Sequence, residues 1–99
     1  MGLDFAIDEL VSTGWTALDT SGCQRSGARP YPTAPRVAEE FRAAGYDFTV
    51  RHIQLFDCYR AEWKDAAGTA TGAVVGQTED EAAVYALAQL RRQLAAVGA

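Results

Sequence analysis

The stretch from Asp57 to Ala96 constrains the fold most, because it predicts two strands joined by a tight turn and then one long helix. Tyr59, Ala61 and Trp63 alternate with polar residues, which is typical of a strand that buries one face. The four residues 65–68 suit a short hairpin turn, and residues 69–76 are predicted to form the returning strand. A sheet with helices on one side is therefore expected.

The sequence Thr78-Glu79-Asp80-Glu81 predicts where the last helix begins. The Thr78 hydroxyl can accept the N–H of Glu81, and the Glu81 side chain can return a bond to the backbone of the cap. Apolar side chains then recur at steps of three and four along one stripe. This stripe consists of Ala83, Ala86, Leu87, Leu90, Leu94 and Val97. Gly98 is expected to follow the last turn as its C′ residue.

The first third of the chain carries weaker signals. Residues 3–13 have helical spacing, although Phe5 and Ile7 are also compatible with an edge strand. Residues 19–34 are rich in glycine, serine and proline and lack periodicity, which predicts a loop. Within it, two flanking prolines would present Tyr31 either to a partner or to the edge of the domain.

The middle of the chain completes the predicted fold. Pro35 suits the first turn of a helix that Gly45 ends, and residues 46–56 are strongly β-prone with a break near His52. We predict an α+β domain in which a three-stranded antiparallel sheet packs on two main helices in the order α-β-β-β-α. Residues 1–18 would add an N-terminal helix or arm, 19–34 a loop and 35–99 the core, within one domain spanning 1–99.

Charge and composition exclude several classes of function. The net charge is −4 and Lys64 is the only lysine, so general affinity for nucleic-acid phosphates is not expected. No apolar run approaches the roughly 18 residues of a membrane span, and the N-terminus is acidic where a secretory signal would be basic. Cys23 and Cys58 lack close pairing and fit reduced thiols. We therefore expect a cytoplasmic protein without membrane contact.

Candidate catalytic residues are few. His52, Asp57 and Cys58 lie close in sequence and could form a nucleophile and its base, but this spacing is equally that of a packed thiol beside an exposed histidine. Zinc sites use closer cysteine and histidine spacings than this chain contains. The glycines of residues 72–76 precede a helix that opens with three acids, which would repel a phosphate. We expect no catalytic residue, metal or cofactor, and so no enzyme.

The chain from Pro35 to Ala96 resembles the double-stranded-RNA-binding domain and small phage-encoded α/β/α sandwich domains. The residues that carry this resemblance are Pro35, Phe41, Gly45 and Tyr46 around the first core helix, Gly72 and Gly76 in the third strand, and Ala82, Ala86, Leu87 and Leu90 in the last helix. The resemblance implies the same layout. In the RNA-binding family the last helix opens with a Ser/Thr-Lys-Lys-x-Ala-Lys run that contacts phosphates. Residues 78–83 here contain no lysine.

The polar strand face suggests the function. Because Arg60, Glu62 and Lys64 share one face, we predict that this face is open to a partner and name Arg51 and Tyr31 as further binding residues. The favoured hypothesis is a non-enzymatic protein-interaction module. A nucleic-acid binder that uses the same basic residues with Arg25 and Arg29 is the second hypothesis, and a small cysteine enzyme is the third.

The third strand offers a mode of binding. Residues 69–76 contain no charge and no proline, so another strand could pair with them if they lie at a sheet edge. We predict a homodimer or a heterologous complex through this edge, and we assign Val74 an outward backbone N–H. The alternative is that residues 3–18 cover the edge.

Overall fold

The computed structural model describes residues 2–17 and 20–98. Its helices are α1 (Leu3–Val11), α2 (Ala34–Ala43) and α3 (Glu79–Gly98), and its strands are β1 (Cys23–Ser26), β2 (Arg29–Pro32), β3 (Tyr46–Ile53), β4 (Cys58–Asp65) and β5 (Thr71–Gly76). A 3-10 turn, Gln54–Phe56, joins β3 to β4. The α+β class, the three-stranded antiparallel sheet and the two main helices are confirmed, as is the N-terminal helix.

The main sheet has the strand order β3-β4-β5, with both pairs antiparallel. Phe48 lies opposite Trp63, which in turn lies opposite Gly72. Helix α2 packs against β3, and α3 packs against β4 and β5. Alternate residues of a strand point to opposite faces, and in the described part of the chain the helices cover only the face that carries Phe48 and Trp63.

The core lies between the helices and the covered face. Phe41 of α2 is fully buried and stacks on Phe48, with ring centroids 4.5 Å apart. The Trp63 ring lies 5.5 Å from Phe41 and is itself almost completely buried. Trp63 therefore belongs to the core, as its alternation with polar residues predicts.

Helix α3 begins as its capping sequence predicts. The Glu81 N–H donates to the Thr78 hydroxyl at 3.1 Å. The Glu81 carboxylate accepts the N–H of Gln77 at 3.3 Å, one residue before the predicted donor, the N–H of Thr78 itself. The threonine cap is thus confirmed, with the return bond shifted by one residue.

The other end of α3 differs from its prediction. Leu90 is buried, but Leu94 is 45% exposed, and the side chain of Val97 lies outside the described residues. Gly98 is still helical, so the prediction that it follows the last turn is wrong. Within the described residues, none of the helices is long and apolar enough to cross a membrane.

The prediction of a loop over residues 19–34 is wrong for residues 23–32, because β1 and β2 pair there as a two-stranded antiparallel sheet. Gly27 adopts a φ of +63° in the connecting turn. Arg29 forms ion pairs with Asp4 and Asp8 of α1, and the Ser26 hydroxyl donates to Asp4 at 2.6 Å. These tertiary contacts hold a hairpin that local propensity does not favour.

Candidate interaction surface

We call the uncovered side of the main sheet the open face. Its side chains form a lattice of three rows, Asp47–Lys64–Thr71, Thr49–Glu62–Ala73 and Arg51–Arg60–Val75, each crossing β3, β4 and β5. Every one of these side chains is exposed except that of Glu62, which is half-buried. The structure therefore brings four of the five predicted binding residues onto one surface.

Glu62 is the electrostatic centre of the open face. Its Oε1 accepts hydrogen bonds from Arg60 Nε at 2.8 Å and from Arg51 Nη2 at 2.7 Å. These bonds, the Arg60 bond first, hold the pKa of the Glu62 carboxyl below its usual value. The two guanidinium groups of this surface are thus both engaged by one carboxylate.

Lys64 is in a different situation. It is exposed, and it forms no ion pair within the described residues, although Asp47 lies directly opposite on β3. With three cations and two carboxylates, the open face has a net charge of +1 on a chain whose net charge is −4. The surface is mildly basic, and Lys64 is the cation on it that can accept a new anionic partner.

The outer edge of β5 presents backbone groups. Along an antiparallel ladder, residue pairs that are hydrogen-bonded to each other alternate with pairs that are not. The Asp65 N–H donates to the Ala70 carbonyl at 3.0 Å, so Asp65 and Ala70 form a hydrogen-bonded pair. Since the two kinds of pair alternate, Val74 bonds to β4, while the backbone groups of Thr71, Ala73 and Val75 point away from the sheet. The assignment of an outward N–H to Val74 is therefore wrong by one residue.

This edge has no pairing strand in the described part of the chain. Helix α1 packs principally against α3, and in the described part of the predicted covering segment, residues 3–17, no strand pairs with β5. On the open face beside the edge, a groove of about 490 Å³ runs between the long side chains of Lys64 and Arg60 and the short ones of Thr71 and Ala73. Edge and groove are adjacent.

An apolar tip, Leu55 and Phe56, lies at one end of this surface. Their exposed fractions are 84% and 74%, and the turn that carries them ends at Asp57 with a left-handed φ of +46°. Val75, at the same end of the sheet, is 55% exposed. Sequence reasoning missed the tip because two apolar residues in a β-prone run indicate a buried strand; the break recognised near His52 was the available signal.

Tyr31 lies away from the open face. It is half-buried on β2, which packs on α2 and α3, and it contacts the core. Burial, followed by the negative charge of Asp80, raises the pKa of the Tyr31 hydroxyl. Asp80 Oδ1 also accepts the Ala34 N–H at 2.9 Å, so it caps α2 from the first turn of α3. The structure thus separates Tyr31 from the other predicted binding residues.

The candidate catalytic residues do not assemble. His52 faces the covered side of the sheet, with its ring 4.8 Å from that of Tyr59, and its Nε2 lies 3.1 Å from Asp57 Oδ1. Cys58 shares its side of β4 with Arg60, because residues two apart on a strand face the same way. A base on one face cannot deprotonate a thiol on the other.

The two cysteines lie apart as well. Cys23, on β1, accepts a hydrogen bond from Arg36 Nη1 at 3.6 Å and lies in a different sheet from Cys58. Within the described residues, no group of three or more His, Cys, Asp or Glu side chains is placed to hold a metal ion. The candidate catalytic residues and the cysteines are thus separated, whereas four of the predicted binding residues share the open face.

Comparisons with protein-family models, with curated proteins and with solved structures found no match to this chain. The resemblance to the RNA-binding domain therefore stays a prediction. What the chain binds has to be inferred from the charges, exposure and hydrogen-bonding capacity of the open face, the β5 edge and the apolar tip.

Proposed function

We propose that this protein is a non-enzymatic protein-interaction module that binds its partner by adding a strand beside β5. The observation that carries the proposal is the outward direction of the backbone groups of Thr71, Ala73 and Val75 on a strand without charge or proline. Such an edge is a template for another strand, whether from a second copy of this chain or from a different protein.

Strand pairing along β5 would not suffice for a stable complex. A six-residue strand is about 20 Å long, and specific complexes bury roughly 1,200–2,000 Å² in total. The partner must therefore also cover the open face. Val75 and the apolar tip supply exposed apolar area at one end of that face, and an aromatic residue such as Phe56 is a typical anchor for a partner.

The charges support a protein partner over a nucleic acid. Arg51 and Arg60 are engaged by Glu62, and Arg29 is engaged by α1, which leaves few cations to contact phosphates. At the start of α3, Glu79, Asp80 and Ala83 stand where the resembled family has lysines. We expect negligible binding of a 20-base-pair RNA duplex (on the order of the span of such domains) at physiological salt, because affinity falls steeply with lost phosphate contacts.

The test is a proline at the edge. Ala73→Pro removes an outward N–H without breaking a bond to β4, so the domain should fold and lose its complex. Ala66→Pro is the matched control, because Ala66 occupies the second position of the turn closed by the Gly68 N–H to Asp65 bond, where proline is favoured.

Both variants and the wild type are compared by light scattering, alone and with proteins captured from source-cell lysate. We expect a complex, either a dimer or a captured protein, with the wild type and Ala66→Pro and none with Ala73→Pro. A folded Ala73→Pro variant that retains the complex would overturn strand addition at β5, and an isolated wild-type monomer that captures nothing would overturn the proposed function.

A further inference from the structure

The two ends of the β5 edge differ in chemistry. At one end, Thr71 lies beside Lys64, an exposed cation with no ion pair within the described residues. At the other end, Val75 lies beside Arg60, whose guanidinium is bound to Glu62. A strand added along β5 would therefore meet the Lys64 ammonium, with Asp47 on its far side, at one end and the exposed Val75 side chain at the other.

Lys64 can reach an added strand. Adjacent strands lie about 4.8 Å apart, so the new strand would lie about 10 Å from β4, with only β5 between them. Thr71, the intervening open-face residue, is short, and a lysine side chain extends a flexible ammonium over such a neighbour. A carboxylate opposite Thr71 would then meet the Lys64 ammonium from the far side.

The opposite end favours an apolar contact. Val75 is 55% exposed, and the apolar tip of Leu55 and Phe56 rises from the same end of the sheet with more than 70% of each side chain exposed. An apolar side chain opposite Val75 would remove the Val75 side chain from water. Residues opposite Thr71 and Val75 are four apart along a strand and therefore point to the same face.

Building on strand addition, we infer that the natural partner is an extended peptide segment with an acidic residue opposite Thr71 and an apolar residue four positions away, opposite Val75. The carboxylate pairs with Lys64 across Thr71. The apolar side chain packs on Val75. The backbone groups of Thr71, Ala73 and Val75 supply the strand hydrogen bonds, and alternate side chains supply the specificity.

A second copy of this chain fits this site less well. β5 contains no charged residue, so it offers Lys64 no carboxylate. Antiparallel pairing of two copies centred on Ala73 would set Val75 of one copy opposite Thr71 of the other, placing valine where the acid is needed. Charge complementarity therefore favours a heterologous acidic segment over a dimer through this edge.

Two synthetic peptides test the inference against the full chain. One is acetylated and amidated Thr-Leu-Thr-Val-Thr-Glu-Thr, which in antiparallel pairing with β5 places leucine opposite Val75 and glutamate, four residues on, opposite Thr71. The other carries glutamine in place of glutamate. Each is titrated into ¹⁵N-labelled wild type, Lys64→Gln and, as the matched control, Arg25→Gln, an exposed arginine of the β1–β2 hairpin.

We expect shifts of the Thr71, Ala73 and Val75 amides, and roughly 2- to 5-fold tighter binding of the glutamate peptide to the wild type at low salt, the range of an exposed ion pair. Lys64→Gln should abolish that preference and Arg25→Gln should keep it. Equal affinities with the same amides shifting would overturn the acidic partner and leave strand addition intact. If neither peptide shifts these amides at millimolar concentration, the peptide inference fails, whereas the Ala73→Pro experiment still decides strand addition.

Discussion

The two faces of the main sheet use the same strands for opposite purposes. On the covered face, Phe48 and Trp63 pack with Phe41 in a core of closely contacting rings. On the open face, the alternating residues, such as Thr49 and Glu62, remain in contact with water. Packing on the covered face stabilises the fold, so the side chains on the open face are available for binding.

The largest expected effect contrasts two phenylalanines. Phe41→Ala should lower the free energy of unfolding by about 3–5 kcal/mol, because it removes a fully buried ring and leaves a cavity. Phe56→Ala, in the apolar tip, should change it by less than about 0.5 kcal/mol, because that side chain is 74% exposed. Urea denaturation of both variants measures the difference, and a comparable loss in Phe56→Ala would mean that the tip is packed.

A smaller contrast lies within β5. A Cβ added at Gly76 would lie 2.6 Å from the backbone nitrogen of Ala82, so Gly76→Ala must push α3 away and should cost about 1–3 kcal/mol. Ala73→Ser, on the open face, should stay within about 0.5 kcal/mol of the wild type. Equal denaturation midpoints for all three proteins would show that α3 does not press on this strand.

The cap of α3 gives a smaller effect still. Thr78→Ala should cost about 1 kcal/mol, because the Glu81 N–H loses its side-chain acceptor. Glu79→Lys, in the same first turn, should cost only about 0.3 kcal/mol through the helix dipole. Chemical denaturation ranks the two, and a Thr78→Ala midpoint equal to that of the wild type would refute the cap.

The smallest effect is the pH dependence of the open face. Because Arg60 and Arg51 lower the pKa of Glu62 in the folded state, this carboxylate contributes stability above its unfolded pKa, and that contribution is lost as the pH falls through the folded pKa. A ¹³C NMR titration should place the Glu62 pKa below the ordinary value of about 4.3. Arg60→Gln should raise it toward that value and Arg25→Gln should not; an ordinary pKa in the wild type would contradict the bonding described.

Local signals made half of the chain predictable. The period-two pattern of β4, the turn before β5 and the threonine cap of α3 each act over a few residues, so the sequence alone positions them. The polar face containing Arg60, Glu62 and Lys64 follows from the same alternation. Three of the five predicted binding residues share a face for this reason, and Arg51 joins them through the register of β3 with β4.

The remaining features depend on contacts distant in sequence. The β1–β2 hairpin is held by Arg29 across more than twenty residues, from β2 to α1, which no local pattern reveals. Tyr31 lies against the core because β2 packs on the helices. The direction of each β5 amide depends on which β4 residue it pairs with. A shift of one residue in that pairing reverses the direction, and for this reason the predicted outward N–H of Val74 is wrong.

The central claim, that the outer edge of β5 is open and available to a partner, is tested most directly by amide hydrogen exchange in the dilute, isolated protein. Gly72, Val74 and Gly76 should be protected by their bonds to β4, whereas Thr71, Ala73 and Val75 should exchange much faster. Binding of the partner should then protect the second set. Uniform protection of all six amides in the isolated monomer would show that the edge is already covered and would contradict the account.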